Sequence, residues 1–144
     1  MEYLVNNLEE TQEIAKKFVA SLKGGEVIGL IGDLGAGKTT FVQFLASSLG
    51  IKEKVNSPTF VLMKVYQTSN TQIKTLVHVD AYRLSHSEEL KNIGLEEYFN
   101  QPDSIVVIEW ADRVVDILPN NAVMIKIKEG NSDGAREFVV NFKI

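Results

Sequence analysis

The stretch Gly32-Asp33-Leu34-Gly35-Ala36-Gly37-Lys38-Thr39 fits the spacing GxxxxGK[ST] at each fixed position. Before it, Glu26-Val27-Ile28-Gly29-Leu30-Ile31 has the continuous apolar character of a buried strand. After it, residues 40–49 carry an apolar face at helical spacing. Glycines let successive backbone N–H groups turn inward around an anion, and the helix that follows adds the positive end of its dipole. In such a cradle Lys38 lies along the β- and γ-phosphates as a point charge. The Thr39 hydroxyl takes one position on a magnesium ion, which prefers oxygen ligands. The competing reading, a glycine-rich turn with a solvated lysine, leaves the flanking strand and helix unexplained.

Composition narrows the classes. A chain of 144 residues suits one domain spanning 1–144, with a real core. The formal charge of -4 argues against gripping nucleic acid by neutralising phosphates, so any RNA role is expected to be indirect. There is no cysteine, hence no disulfide framework and no thiolate metal site, and no signal peptide or long apolar run is visible. A cytoplasmic location is the expectation.

Ahead of the motif, Ile14, Ala15, Phe18, Val19 and Leu22 have helical spacing, with Glu9, Glu10 and Glu13 near the start and Asn6 or Asn7 as a cap. The pattern predicts a helix ending at Gly24-Gly25. Thr11 on its first turn is either an ordinary surface threonine or a neighbour of a bound base.

Beyond the motif, Ser57-Pro58-Thr59 is the first loop able to reach a γ-phosphate. Thr59 is a candidate for the threonine by which nucleotide switches sense that group, against the plainer reading of a turn starting a strand. Phe60 to Tyr66 and Ile73 to Val79 predict an antiparallel hairpin. Its second strand delivers Asp80 at the edge where open α/β sheets place their ligand chemistry. Asp80 is a candidate magnesium partner or a structural cap. His78 has no second histidine at ligand spacing and is expected to pack in or beside the sheet; His86 sits among polar residues.

Ser85 and Glu88 have the spacing of a capping box for a short helix interrupted at Gly94. Ser104-Ile105-Val106-Val107-Ile108-Glu109 predicts a second buried strand ending in an acid. Glu109 can orient an attacking water or hold magnesium, or serve as an ion-paired structural glutamate. Trp110, the only tryptophan, reads by default as core, and residues 111–118 read as a short helix. The tail predicts an antiparallel hairpin turning at Asn131 to Gly134, with Phe138, Val140 and Phe142 on its apolar face and Lys126 and Lys128 protecting an edge. Arg136 points at a nucleotide or at solvent.

Together these parts predict a P-loop NTPase-like α/β fold, three layers α/β/α with a mixed central sheet and antiparallel hairpins. They also predict a magnesium-dependent nucleotide hydrolase. The only arginines are Arg83, Arg113 and Arg136, so slow hydrolysis alone and activation by partners is the physical expectation. A small-molecule kinase or a non-catalytic nucleotide switch are the alternatives.

The set Gly32 to Thr40, Ser57-Pro58-Thr59, His78-Val79-Asp80-Ala81-Tyr82-Arg83-Leu84 and Ile108-Glu109-Trp110-Ala111-Asp112 resembles the bacterial TsaE (YjeE) family over nearly the whole chain. The resemblance implies an ATPase needed to make threonylcarbamoyladenosine beside the anticodon of tRNA. It would act in a complex with TsaD and TsaB and meet tRNA through that complex. Carried over by position, Gly32, Asp33, Leu34, Gly35, Ala36, Gly37, Lys38, Thr39 and Thr40 match the ATP site. Asp80 and Glu109 match the acids at the metal and water, and Thr59 matches the switch-like loop. Trp110 matches a tryptophan near the nucleotide, and Arg136 matches a C-terminal arginine. ATP rests on this resemblance and on the lack of a guanine-reading NKxD stretch.

Overall fold

The computed structural model describes residues 1–56 and 62–141. A seven-stranded mixed sheet runs in the order β1 (Glu2–Val5), β7 (Arg136–Val140), β6 (Val123–Glu129), β2 (Val27–Ile31), β5 (Ser104–Glu109), β4 (Thr75–Asp80), β3 (Met63–Gln67). The four central strands β6, β2, β5 and β4 are parallel, and β7 and β3 flank them antiparallel. Each residue of β2 and β5 is buried, which is why both read as unbroken apolar runs: a parallel strand in the middle of a sheet is covered on both faces.

Two cores follow from the alternation of side chains along these strands. On one face Ile28, Leu30, Leu76, Ile105 and Val107 pack against α1 (Leu8–Ser21) and α2 (Lys38–Ser48). On the other, Val27, Ile31, Val77, Val79, Val106 and Ile108 meet α3 (Glu88–Asn92) and three short 3₁₀ segments. These are the three layers predicted. Parity also places the site: His78 and Asp80 alternate with Val77 and Val79, and Glu109 alternates with Ile108, so all three carboxylate and imidazole side chains belong to the α1/α2 face.

Asn7 is the cap of α1, its Oδ1 accepting from Glu10 N–H at 2.9 Å, while Glu10 Oε2 accepts from Asn6 N–H at 2.8 Å. The helix stops at Ser21, three residues short of the glycine pair. Gly32 lies where β2 leaves the sheet, and a Cβ there would come within 2.5 Å of the Ile127 carbonyl oxygen, so only glycine lets the loop start so close to β6.

Several local expectations are corrected. The strand β1 pairs with β7 and was not legible, because only Val5 of its residues is buried. The edges are therefore β1 and β3, and Lys126 and Lys128 stand on an internal strand rather than guarding an edge. The capping carboxylate before α3 is Glu89, not Glu88: its Oε1 accepts from Ser85 and His86 N–H groups, and the helix begins after Ser87. Residues 111–118 form two 3₁₀ segments, Ala111–Arg113 and Val115–Ile117, in place of one helix. Phe60 and Phe142 lie outside the described residues. Among those described, no helix is long and apolar enough to cross a membrane.

Candidate functional site

The C-terminal ends of β2, β5 and β4 lie side by side, so the topology alone brings the glycine-rich loop, Glu109 and Asp80 to one edge. Gly37 caps α2 with φ 109°, a left-handed conformation that a side chain would strain. That conformation turns the chain directly from loop into helix, so Lys38 and Thr39 open the helix at its positive end.

Lys38 is 5 % exposed. Its Nζ donates to the carbonyls of Gly32 at 2.6 Å and Asp33 at 2.8 Å. It also stands 4.2 Å from the centroid of the Trp110 ring. Burial pushes the Lys38 ammonium below its ordinary range, opposed by the nearby carboxylates of Glu109, Asp80, Asp33 and Asp112. The lysine is thus a desolvated cation held on two carbonyls, a combination that favours exchange of those carbonyls for an entering anion.

Thr39 and Glu109 are 70 positions apart in sequence, yet Thr39 Oγ1 donates to Glu109 Oε1 at 2.8 Å. Glu109 is 2 % exposed, and its other oxygen lies 2.6 Å from His78 Nε2. Asp80 faces Glu109 in register across β4 and β5, and its Oδ1 accepts from Tyr82 N–H at 3.0 Å. Of the two acids, Glu109 is the one bonded to the threonine hydroxyl. Among the described residues no three His, Cys, Asp or Glu side chains converge on a metal position. A hydroxyl beside one or two carboxylates fits magnesium, which keeps several waters and borrows phosphate oxygens in place of an all-protein cage.

Trp110 is half-buried rather than core. It adopts φ 59°, packs at a tilt of 42° against Tyr82 with centroids 4.9 Å apart, and carries Arg113 over its ring at 5.6 Å. The strained backbone aims the ring back over Lys38. Arg136 is not given to solvent: its Nε donates to the Ala36 carbonyl at 2.9 Å and its Nη1 to Ala135 at 2.8 Å, tying β7 to the loop. Thr11 is not a surface threonine either, at 5 % exposed. With Asn7, Gly35, Gly37, Thr40 and Arg136 it lines a cavity of about 600 Å³, a size suited to a nucleoside. Gly32, Asp33 and Leu34 line a second cavity across the loop, beside Trp110, Asp112 and Lys128, and Ala36 borders both. Thr59 lies outside the described residues.

Sequence reasoning left His78 without a task, although its position two residues before Asp80 already put it on the same strand face. The approach of Asn7 and Thr11 to the loop depends on how α1 packs, for which the sequence carries no local signal.

The family model described as "Threonylcarbamoyl adenosine biosynthesis protein TsaE" matches residues 5–138. The chain belongs to the TsaE family. Among its relatives, the tRNA threonylcarbamoyladenosine biosynthesis protein TsaE of Bacillus subtilis is 43% identical over 127 residues, covering 88% of this chain and 77% of that one. The protein of the same name from Treponema pallidum is 43% identical over 119 residues, 83% of this chain and 84% of its own. The crystal structure of Bacillus subtilis YdiB superposes with a TM-score of 0.72 at 36% identity, over 96% of this chain and 82% of that one. The TsaE match spans the glycine-rich loop, Asp80, Glu109 and Arg136, so the edge described above falls within the family's own extent.

Proposed function

We propose that this TsaE-family chain is a magnesium-dependent ATP hydrolase that supports threonylcarbamoyladenosine formation on tRNA, working in a complex with homologues of TsaD and TsaB. The observation that carries the hydrolytic part is the Thr39–Glu109 bond beside the Lys38 cradle. It sets a hydroxyl and a desolvated carboxylate next to the anion position at a helix N-terminus. Phosphoryl transfer needs chiefly positioning and neutralisation of charge.

In this reading Lys38 leaves the Gly32 and Asp33 carbonyls for phosphate oxygens, and the cavity by Asn7 and Thr11 takes the nucleoside. Arg136 fixes the loop through Ala36. Thr39, with Glu109 or Asp80, would hold magnesium, which would supply positive charge to offset that of the phosphates. Glu109 orients the attacking water. The net charge of -4 supports contact with tRNA through the complex.

Phosphate release from ATP, measured for the chain alone and with TsaD and TsaB homologues, tests this. The expected result is slow magnesium-dependent release that rises with the partners. Absence of release under every condition would indicate a nucleotide switch, and transfer to a small acceptor would indicate a kinase.

A further inference from the structure

Glu109 and Asp80 end adjacent parallel strands in register and on the same face, an arrangement in which two carboxylates repel. Left to itself, the Glu109 side chain has rotational freedom about its last bond and no reason to favour Thr39. The structure gives it two donors. Oε1 accepts from Thr39 Oγ1 at 2.8 Å, and Oε2 lies 2.6 Å from Nε2 of His78, whose side chain is fully buried. With both oxygens engaged, the plane of the carboxylate is fixed.

The imidazole bears the mark of that task. Because a carboxylate accepts, Nε2 carries a proton and donates to Glu109. Nδ1 is buried and has no hydrogen-bond partner among the described residues. A buried nitrogen without a partner destabilises the fold, and a leucine among Leu76 and Val107 would pack there at less cost. What a leucine cannot do is donate to Glu109.

We propose that His78 is a positioning residue whose Nε2–H on Glu109 Oε2 fixes that carboxylate toward Thr39, and thereby sets the magnesium dependence of nucleotide binding at this edge. The inference rests on the nucleotide reading above. It assigns His78 neither proton transfer nor a place on the metal.

The test is calorimetric titration of the full chain with ATP, in magnesium and in EDTA, for wild type, His78→Leu and His78→Gln. Leucine fills the site without a donor, and glutamine retains one on a side chain of similar reach. Groups that orient metal-binding carboxylates typically set affinity by roughly 10- to 100-fold, so His78→Leu should lower the ratio of the EDTA Kd to the magnesium Kd by about that factor. The EDTA Kd itself should stay within about twofold, since the cradle is made by other groups. His78→Gln should recover most of the ratio. An unchanged ratio in His78→Leu, an equal loss with and without magnesium, or a glutamine variant as impaired as the leucine one would overturn the inference. Wild type failing to bind ATP at all would instead bring down the nucleotide reading on which it rests.

Discussion

Glu109→Gln is expected to slow ATP hydrolysis by roughly 10²- to 10³-fold, the loss typical when a group aligned with the reacting centre is neutralised. ATP affinity in the absence of magnesium should change little. The substitution is nearly isosteric, and the local bonds allow it. The amide oxygen still accepts from Thr39, and the amide N–H₂ faces His78 Nε2, which becomes the acceptor once the proton sits on Nδ1. The fold should therefore survive, which separates a chemical from a structural loss. Phosphate release in the presence of the partner proteins, with calorimetric ATP binding on the same variant, is the check. Normal hydrolysis by Glu109→Gln would remove Glu109 from the proposed chemistry and leave Asp80 as the acid to test.

Lys38→Ala should act at the other end of the site, on binding. In the described state the ammonium is desolvated and held by two carbonyls, with four carboxylates nearby. Exchanging those carbonyls for phosphate oxygens replaces neutral acceptors by charged ones, so each hydrogen bond from the ammonium gains an ion-pair attraction. Losing two such bonds at about 1.5 kcal/mol each weakens ATP binding by about 3 kcal/mol, roughly 100-fold in Kd. The variant also leaves Glu109, Asp80, Asp33 and Asp112 without their central cation, so repulsion of the triphosphate adds to the loss. Calorimetry in EDTA isolates this effect from magnesium. An ATP Kd within threefold of wild type would show that Lys38 stays on its carbonyls and is not a phosphate ligand.

What could be read in the sequence was what is coded locally or by periodicity. The glycine-rich loop announces itself by spacing, and β2 and β5 by runs that only a doubly covered strand tolerates. From those two, the edge carrying Glu109 and Asp80 follows, since parallel neighbours bring like ends together. Strand β1 was hidden because its pairing with β7 comes from tertiary context, and three of its four residues face solvent. Strand order is equally non-local, which is why Lys126 and Lys128 misled as edge residues.

Trp110 shows a different limit of pattern reading. Its ring covers Lys38 because a non-glycine residue takes φ 59°, and nothing in Ile108-Glu109-Trp110-Ala111 signals that conformation. Thr11 stays open in the sequence between a surface residue and a neighbour of a bound base for a related reason. One turn into an amphipathic helix, a threonine looks exposed until the helix end is seen to close against Gly35 and Arg136.

The most direct measurement is a crystal structure of the chain with magnesium and a non-hydrolysable ATP analogue. The account predicts Lys38 Nζ on phosphate oxygens and no longer on Gly32 and Asp33, the nucleoside in the cavity beside Asn7 and Thr11, and Thr39 Oγ1 about 2.1 Å from magnesium. A nucleotide bound elsewhere, or one bound at the loop with Lys38 still on its two carbonyls and Thr39 away from the metal, would contradict it.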